Sequence, residues 1–241
     1  MKNSDLFNAS RFLLFTYSNL DFDAKKDEAI KQAVVLAYKD ATLMGAYNAK
    51  KSGNETHKDE PNAKTVLINS VIDSVKTLNP NADFKTWHAE LCNKLDKRIE
   101  NFKYGNAQKL VNMTMKNMHV IYSIINEFQP ENEFVLFFKR NILIHYSKFD
   151  IPVDSYILEA AWNMEEVNDK FENKKIKFPK KEGTCKRIAG KYSSDKIESW
   201  SSWDESKYTS FQNSLKDQIQ SNRPLDWEYN AWIEIAKSRK K

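Results

Sequence analysis

Apolar residues recur at helical spacing along most of the chain, and this pattern constrains the fold more than any motif does. Trp87, Leu91, Leu95 and Ile99 repeat every four residues. Val111, Met115, Met118, Tyr122 and Ile125 form a second stripe, and Val66, Leu67, Val71, Ile72 and Val75 a third. Ala29, Ile30, Ala33, Val34, Ala37, Tyr38, Ala41 and Met44 keep one face apolar over residues 23–48. Residues three and four apart share a face of an α-helix, so each run predicts an amphipathic helix. Only 5 Gly and 6 Pro occur in 241 residues. That is too few for the many tight turns of a β-sandwich or barrel. The expected class is all-α.

Local punctuation gives the element ends. Asn79-Pro80 stops the helix over 62–78, because the residue before a proline is pushed out of helical geometry. Asp83 is a candidate N-cap for a helix over 83–101. Asp204 or Ser206 caps a helix carrying Tyr208, Phe211, Leu215 and Ile219, which Arg223-Pro224 ends. A final amphipathic helix spans 227–237. Leu6, Phe7, Phe12, Leu13, Leu14 and Phe15 mark an apolar helix over 6–17. Residues 131–146 contain FVLFF and NILIHY, a buried helix with a strand as the alternative for so short an apolar run. The polar stretch 50–61 reads as an exposed loop. The stretch 173–191 holds Lys174, Lys175, Lys177, Lys180, Lys181, Lys186, Arg187 and Lys191 without periodicity, and reads as a loop or a poorly ordered arm.

Composition excludes several classes. A hydrophobic content of 41% and an aromatic content of 12% are incompatible with wholesale disorder. A formal charge of +5, from 38 basic against 33 acidic residues, permits a polyanionic partner without demanding one. Cys92 and Cys185 have no paired spacing for a zinc site or a disulfide framework. His57, His88, His119 and His145 form no HExxH or other close pair, so no metal is expected. His119 and His145 sit in apolar helices and read as packed core residues. The N-terminal apolar patch is too short for a secretory leader, and no run of about 18 apolar residues exists to span a membrane. The expectation is a reduced, monomeric, intracellular protein, cytoplasmic or nucleoid-associated. No Walker-type loop, GxSxG or GxGxxG is present. The length allows one or two domains.

Two stretches carry chemistry. In FKYGNAQKLVNMTMK (102–116), Gly105 sits in a tight turn before a long helix, and Lys109 stands one turn in. Free backbone N–H groups at a helix start can hold a phosphate oxygen. A lysine there becomes a nucleophile able to form a Schiff base if its surroundings favour the neutral amine. The plainer alternative is a helix-helix turn with a solvated lysine. In FDIPVDSYILEAAW (149–162), Pro152 directs the chain and Asp154 is placed to cap the next helix. The capping role alone accounts for the motif; the alternative is a carboxylate aimed into a cleft, where it stabilises a cationic transition state or activates a nucleophile. Gln108 and Asn112 flank the lysine and suit either base-edge contacts or an ordinary polar surface. Trp200, Trp203, Trp227 and Trp232 could stack bases or fill core.

QKLVNMTMK followed by FDIPVDSYILEAAW resembles the helix-hairpin-helix DNA glycosylases, and is most similar to the archaeal-type 8-oxoguanine DNA glycosylase branch. The resemblance covers about 60 residues. It implies an all-α fold of two helical subdomains with the active site in a cleft between them, and a base-excision-repair partner, double-stranded DNA with a damaged base. It also implies one helical unit over 1–241, with a central subdomain near 62–165 and a second built from 1–61 plus 166–241. The lysine of the QK pair corresponds to Lys109 and the aspartate of the PVD segment to Asp154. Lys109 would attack C1′ of a flipped nucleotide and expel an oxidised purine, 8-oxoguanine first among candidates. Asp154 would stabilise the developing charge and help activate the amine. The resulting Schiff base permits a lyase nick without a dissociable cofactor. Tyr104, Gly105, Asn106 and Gln108 would form the DNA-binding hairpin.

A different class competes: a helical nucleic-acid-binding or host–phage interaction protein that uses the basic stretch and performs no chemistry. A purely structural helical protein whose stripes pack a partner is the third. The joint presence of Lys109 and Asp154 at two helix starts is the cue that favours an enzyme.

Overall fold

The computed structural model describes residues 2–42, 63–99, 102–168, 176–178 and 198–240. Among these the chain is helical, without strands. The helices are α1 (Lys2–Ser18), α2 (Lys26–Thr42), α3 (Ala63–Thr77), α4 (Phe84–Arg98), α5 (Tyr104–Phe128), α6 (Glu133–Asn141), α7 (Ser155–Asn168), α8 (Glu205–Ile219) and α9 (Pro224–Ser238). Short 3₁₀ turns occupy Leu143–Lys148 and Trp200–Ser202. The ambiguous run over 131–146 is thus α6 plus a 3₁₀ turn, not a strand. The loop expected at 50–61 lies outside the described residues, as do His57, Cys185 and all of the basic stretch but 176–178.

The capping chemistry follows the sequence closely. Asp83 accepts from the Lys85 amide ahead of α4, Asn132 accepts from the Phe134 and Val135 amides ahead of α6, and Asp204 accepts from the Lys207 amide ahead of α8. α9 starts three residues earlier than its apolar pattern suggests, because Pro224 occupies its first turn. A proline there gives up only an N–H that a helix start leaves unpaired.

The chain divides into two compact units: Met1–Phe102 with Leu110–Tyr146, and Lys103–Lys109 with Ser147–Lys241. These boundaries differ from the 62–165 and 1–61 plus 166–241 subdomains expected from sequence. The chain passes between the units within α5 itself, where no composition shift marks a boundary.

In the first unit α2 packs against α1, α3 and α6, and α3 against α4. Ala29, Ile30, Ala33, Val34 and Ala37 are fully buried, as the α2 stripe predicts. Phe7, Phe22 and Phe128 form an aromatic cluster with ring centroids 4.9–5.5 Å apart. His145 is buried, stacks on Phe84 and meets the Asn79 carbonyl at 3.0 Å. His119 packs on Tyr146. Both histidines are packing residues, as expected. α1 departs from its apolar pattern: Leu14 is buried, but Leu6, Phe12, Leu13 and Phe15 are 55–68% exposed.

In the second unit α9 packs against both α7 and α8. Its core includes Trp203, Tyr208, Phe211 and Leu215, with Ile151, Val153, Ile157 and Ala161. Buried aromatics of this size dominate the apolar area removed from water.

Candidate active site

Lys109 and Asp154 lie in the same unit and meet directly. The Lys109 Nζ donates to Asp154 Oδ2 at 2.9 Å across 45 residues of sequence. The lysine side chain is 5% exposed and the aspartate 20%. Nζ also stands 5.9 Å from the centre of the Trp200 ring, at the outer edge of a cation–π contact.

Each partner is held by its own helix start. Asp154 Oδ1 accepts from the Tyr156 and Ile157 amides at 3.0 Å, so this oxygen caps α7 and leaves Oδ2 for the lysine. The capping reading of Asp154 holds for Oδ1, while Oδ2 faces the Lys109 ammonium. The free amides at a helix start attract a carboxylate and fix its rotamer.

Lys109 is carried by the first turns of α5, which the segment 198–203 covers. Gly105 is the second residue of α5 and not a turn before it, a correction to the sequence reading. Its N–H donates to the Trp203 carbonyl at 2.9 Å. A Cβ at this position would sit 1.9 Å from the Trp200 carbonyl oxygen. The glycine is required by close backbone approach, with no left-handed geometry involved. The Asn106 side chain donates to the Ser201 carbonyl at 3.1 Å. The covering segment is itself braced: Trp203 Nε1 donates to the Glu198 carbonyl, and Lys207 pairs with the Glu198 carboxylate.

This packing revises the expected hairpin. Tyr104, Gly105, Asn106 and Gln108 are all buried. The Gln108 amide donates to the Gly105 carbonyl at 2.8 Å, and the Asn106 and Ala107 N–H groups both donate to the Lys103 carbonyl. The donors expected to cradle a phosphate are committed within the unit. Asn112 is likewise buried, accepting from His88 in the first unit at 2.8 Å, and so is not a base-edge reader as it stands.

Trp200 is the site residue that sequence reasoning left unassigned. It falls in SWSSW, beyond a long gap from Lys109, and no local pattern links the two. Of the other tryptophans, Trp203 is fully buried, whereas Trp232 is 38% exposed and stacks on Tyr156. Among the described residues no group of three or more His, Cys, Asp or Glu could hold a metal ion. No described helix is long and apolar enough to cross a membrane.

A scan of protein-family models finds no match to this chain, and searches of curated proteins and of solved structures find none either.

Proposed function

We propose that the protein is a DNA glycosylase with lyase activity, acting on an oxidised purine, most readily 8-oxoguanine. The observation that carries this reading is the buried contact of Lys109 Nζ with Asp154 Oδ2 at 2.9 Å, beside the Trp200 ring. A primary amine, a carboxylate within proton-transfer distance and an aromatic wall are the groups that imine-forming base excision needs.

The chemistry assigns one task to each group. Asp154 accepts a proton from the Lys109 ammonium, giving an amine with a free electron pair. That pair forms the bond to C1′ of an extruded nucleotide. The bond from C1′ to the base breaks, its electrons leave with the base, and the base takes up a proton. That proton comes from Asp154, and the carboxylate so regenerated stabilises the positive charge on the sugar. Loss of the second amine proton with opening of the sugar ring gives a Schiff base, from which β-elimination expels the 3′ phosphate. The substrate would enter by the Asp154 side of the pair, since that side chain keeps a fifth of its surface.

Single-turnover cleavage of duplex DNA carrying 8-oxoguanine tests the reading. Wild type should release the base and nick the strand. Lys109→Ala should do neither, and Asp154→Asn should slow base release by about 10²- to 10⁴-fold, the usual range for a lost proton-transfer group. Thermal melts of each variant separate lost chemistry from lost fold.

A second reading is a non-catalytic helical nucleic-acid-binding protein in which the pair only joins α5 to α7. The 5% exposure of the Lys109 side chain favours it. It predicts DNA binding that survives Lys109→Ala, with no strand cleavage on any lesion.

A further inference from the structure

The segment 150–154 (DIPVD) delivers Asp154 to Lys109, and α8 grips it from one face. Asp150 is 5% exposed, and Ile151 and Val153 are fully buried. Tyr208 donates its hydroxyl to Asp150 Oδ2 at 2.8 Å, and the Lys216 ammonium bonds Asp150 Oδ1. Gln212, 1% exposed, bonds one residue through both its amide oxygen and its amide nitrogen. Its Oε1 accepts from the Ile151 N–H at 3.1 Å, and its Nε2 donates to the Ile151 carbonyl at 2.6 Å. Tyr208, Gln212 and Lys216 are spaced by four and so share one face of α8.

Pro152 follows with a locked φ and no N–H to pair. Two residues further on, Asp154 Oδ1 takes the cap of α7. No residue between Ile151 and Asp154 offers slack: one is a proline and the other a buried valine. A displacement at Ile151 is therefore passed to the Asp154 carboxylate, whose Oδ2 must stay within hydrogen-bond reach of Lys109 Nζ.

We propose that Gln212 is a positioning residue for Asp154, acting through the Ile151 backbone, with Tyr208 and Lys216 as its supports through Asp150. This rests on the reading of Lys109 and Asp154 as the reacting pair. A glutamine that merely satisfied a buried backbone would stabilise the fold without regard to Asp154. A positioning glutamine loses its influence on the reaction once Asp154 is gone.

The test compares wild type, Gln212→Met, Asp154→Asn and the double variant. The methionine keeps the volume and removes both hydrogen bonds. Single-turnover base release should slow by about 10- to 100-fold in Gln212→Met, the scale of a sub-ångström misplacement. In the Asp154→Asn background the same change should cost less than about twofold, because coupled residues are not additive. An equal loss in both backgrounds overturns the proposal. Amide hydrogen exchange supplies the readout that needs no activity. Exchange at Tyr156 and Ile157, the two donors to Asp154, should accelerate in Gln212→Met relative to the α9 amides. Unchanged exchange there, or a uniform rise across α7, α8 and α9, overturns it. Wild-type protein that cuts no lesion removes the enzyme reading, and the exchange measurement then decides the positioning alone. If Gln212→Met does not fold, Tyr208→Phe, which drops one bond to Asp150 and keeps the ring packed on Tyr104, replaces it in both measurements.

Discussion

A methyl group at Gly105 would sit 1.9 Å from the Trp200 carbonyl oxygen, and this single clash sets the sign of a substitution. Glycine to alanine within a helix ordinarily gains about 1 kcal/mol from propensity. Here the neighbour is backbone, which cannot rotate aside, and the shift also breaks the Gly105 N–H bond to Trp203. Overpacking costs about 1–3 kcal/mol and a lost hydrogen bond about 1 kcal/mol. Gly105→Ala should therefore destabilise the protein by about 1–3 kcal/mol in urea denaturation, and a stabilised variant would refute the close approach. Arg11 and Asp21 give a pH-dependent case. The hydrogen bond from the Arg11 guanidinium holds the Asp21 carboxyl below its ordinary value. A depressed folded value means that the pair's contribution is present above the unfolded carboxylate pKa, about 3.9, and is lost as pH falls through the folded one. The Arg11 side chain is 56% exposed and the Asp21 side chain 35%, so solvent screening keeps the effect on stability small. In an NMR titration, Arg11→Ala should raise the Asp21 midpoint; no change would remove the ion pair from solution.

Among elements, α1 and α7 differ in what a substitution costs. Leu14 is the buried anchor of α1, while Phe12 is 68% exposed two positions earlier. Leu14→Ala should cost about 2–5 kcal/mol by leaving a cavity, and Phe12→Ser within about 0.5 kcal/mol. Equal losses would show that the exposed face of α1 is covered in solution. α7 depends on its cap. Asp154→Ala removes about 1 kcal/mol of capping and leaves the Lys109 ammonium buried without its carboxylate, for a combined loss of about 3–5 kcal/mol. Local signals made the elements legible. Asp83, Asp154 and Asp204 cap the helices that their sequence neighbours announce, because a cap acts over three residues. The turn assigned to Gly105 was wrong because its cause, the backbone at 200–203, lies about 95 residues away. No local pattern could show it. The exposure of α1 has the same origin, since apolar spacing says which residues share a face and not whether anything covers it.

At the scale of the whole molecule, the all-α class follows from the scarcity of turn-formers and the repeated apolar stripes. The division into units does not follow, because it falls inside α5, a continuous helix of 25 residues. The sequence offers Lys109 and Asp154 as a pair because each stands at a helix start, and the resemblance of two short motifs gives the pair its roles. Spacing alone cannot bring together residues 45 apart. Gln212 escaped notice for a simpler reason: a glutamine on an amphipathic helix reads as a polar surface until its partners are seen. The proposed binding to duplex DNA would be salt-dependent, because each Lys or Arg that neutralises a phosphate releases counterions. Affinity measured by fluorescence anisotropy should fall steadily as salt rises from 50 to about 200 mM. Affinity that ignores salt would exclude DNA as the partner.

Borohydride trapping on duplex DNA containing 8-oxoguanine, with the adduct mapped by peptide mass spectrometry, tests the central claim most directly. A reduced covalent adduct on Lys109, absent in Lys109→Ala and diminished in Asp154→Asn, is the predicted result. An adduct on another lysine, or none on any of a panel of oxidised bases, would contradict it and leave the buried pair as a structural joint between α5 and α7.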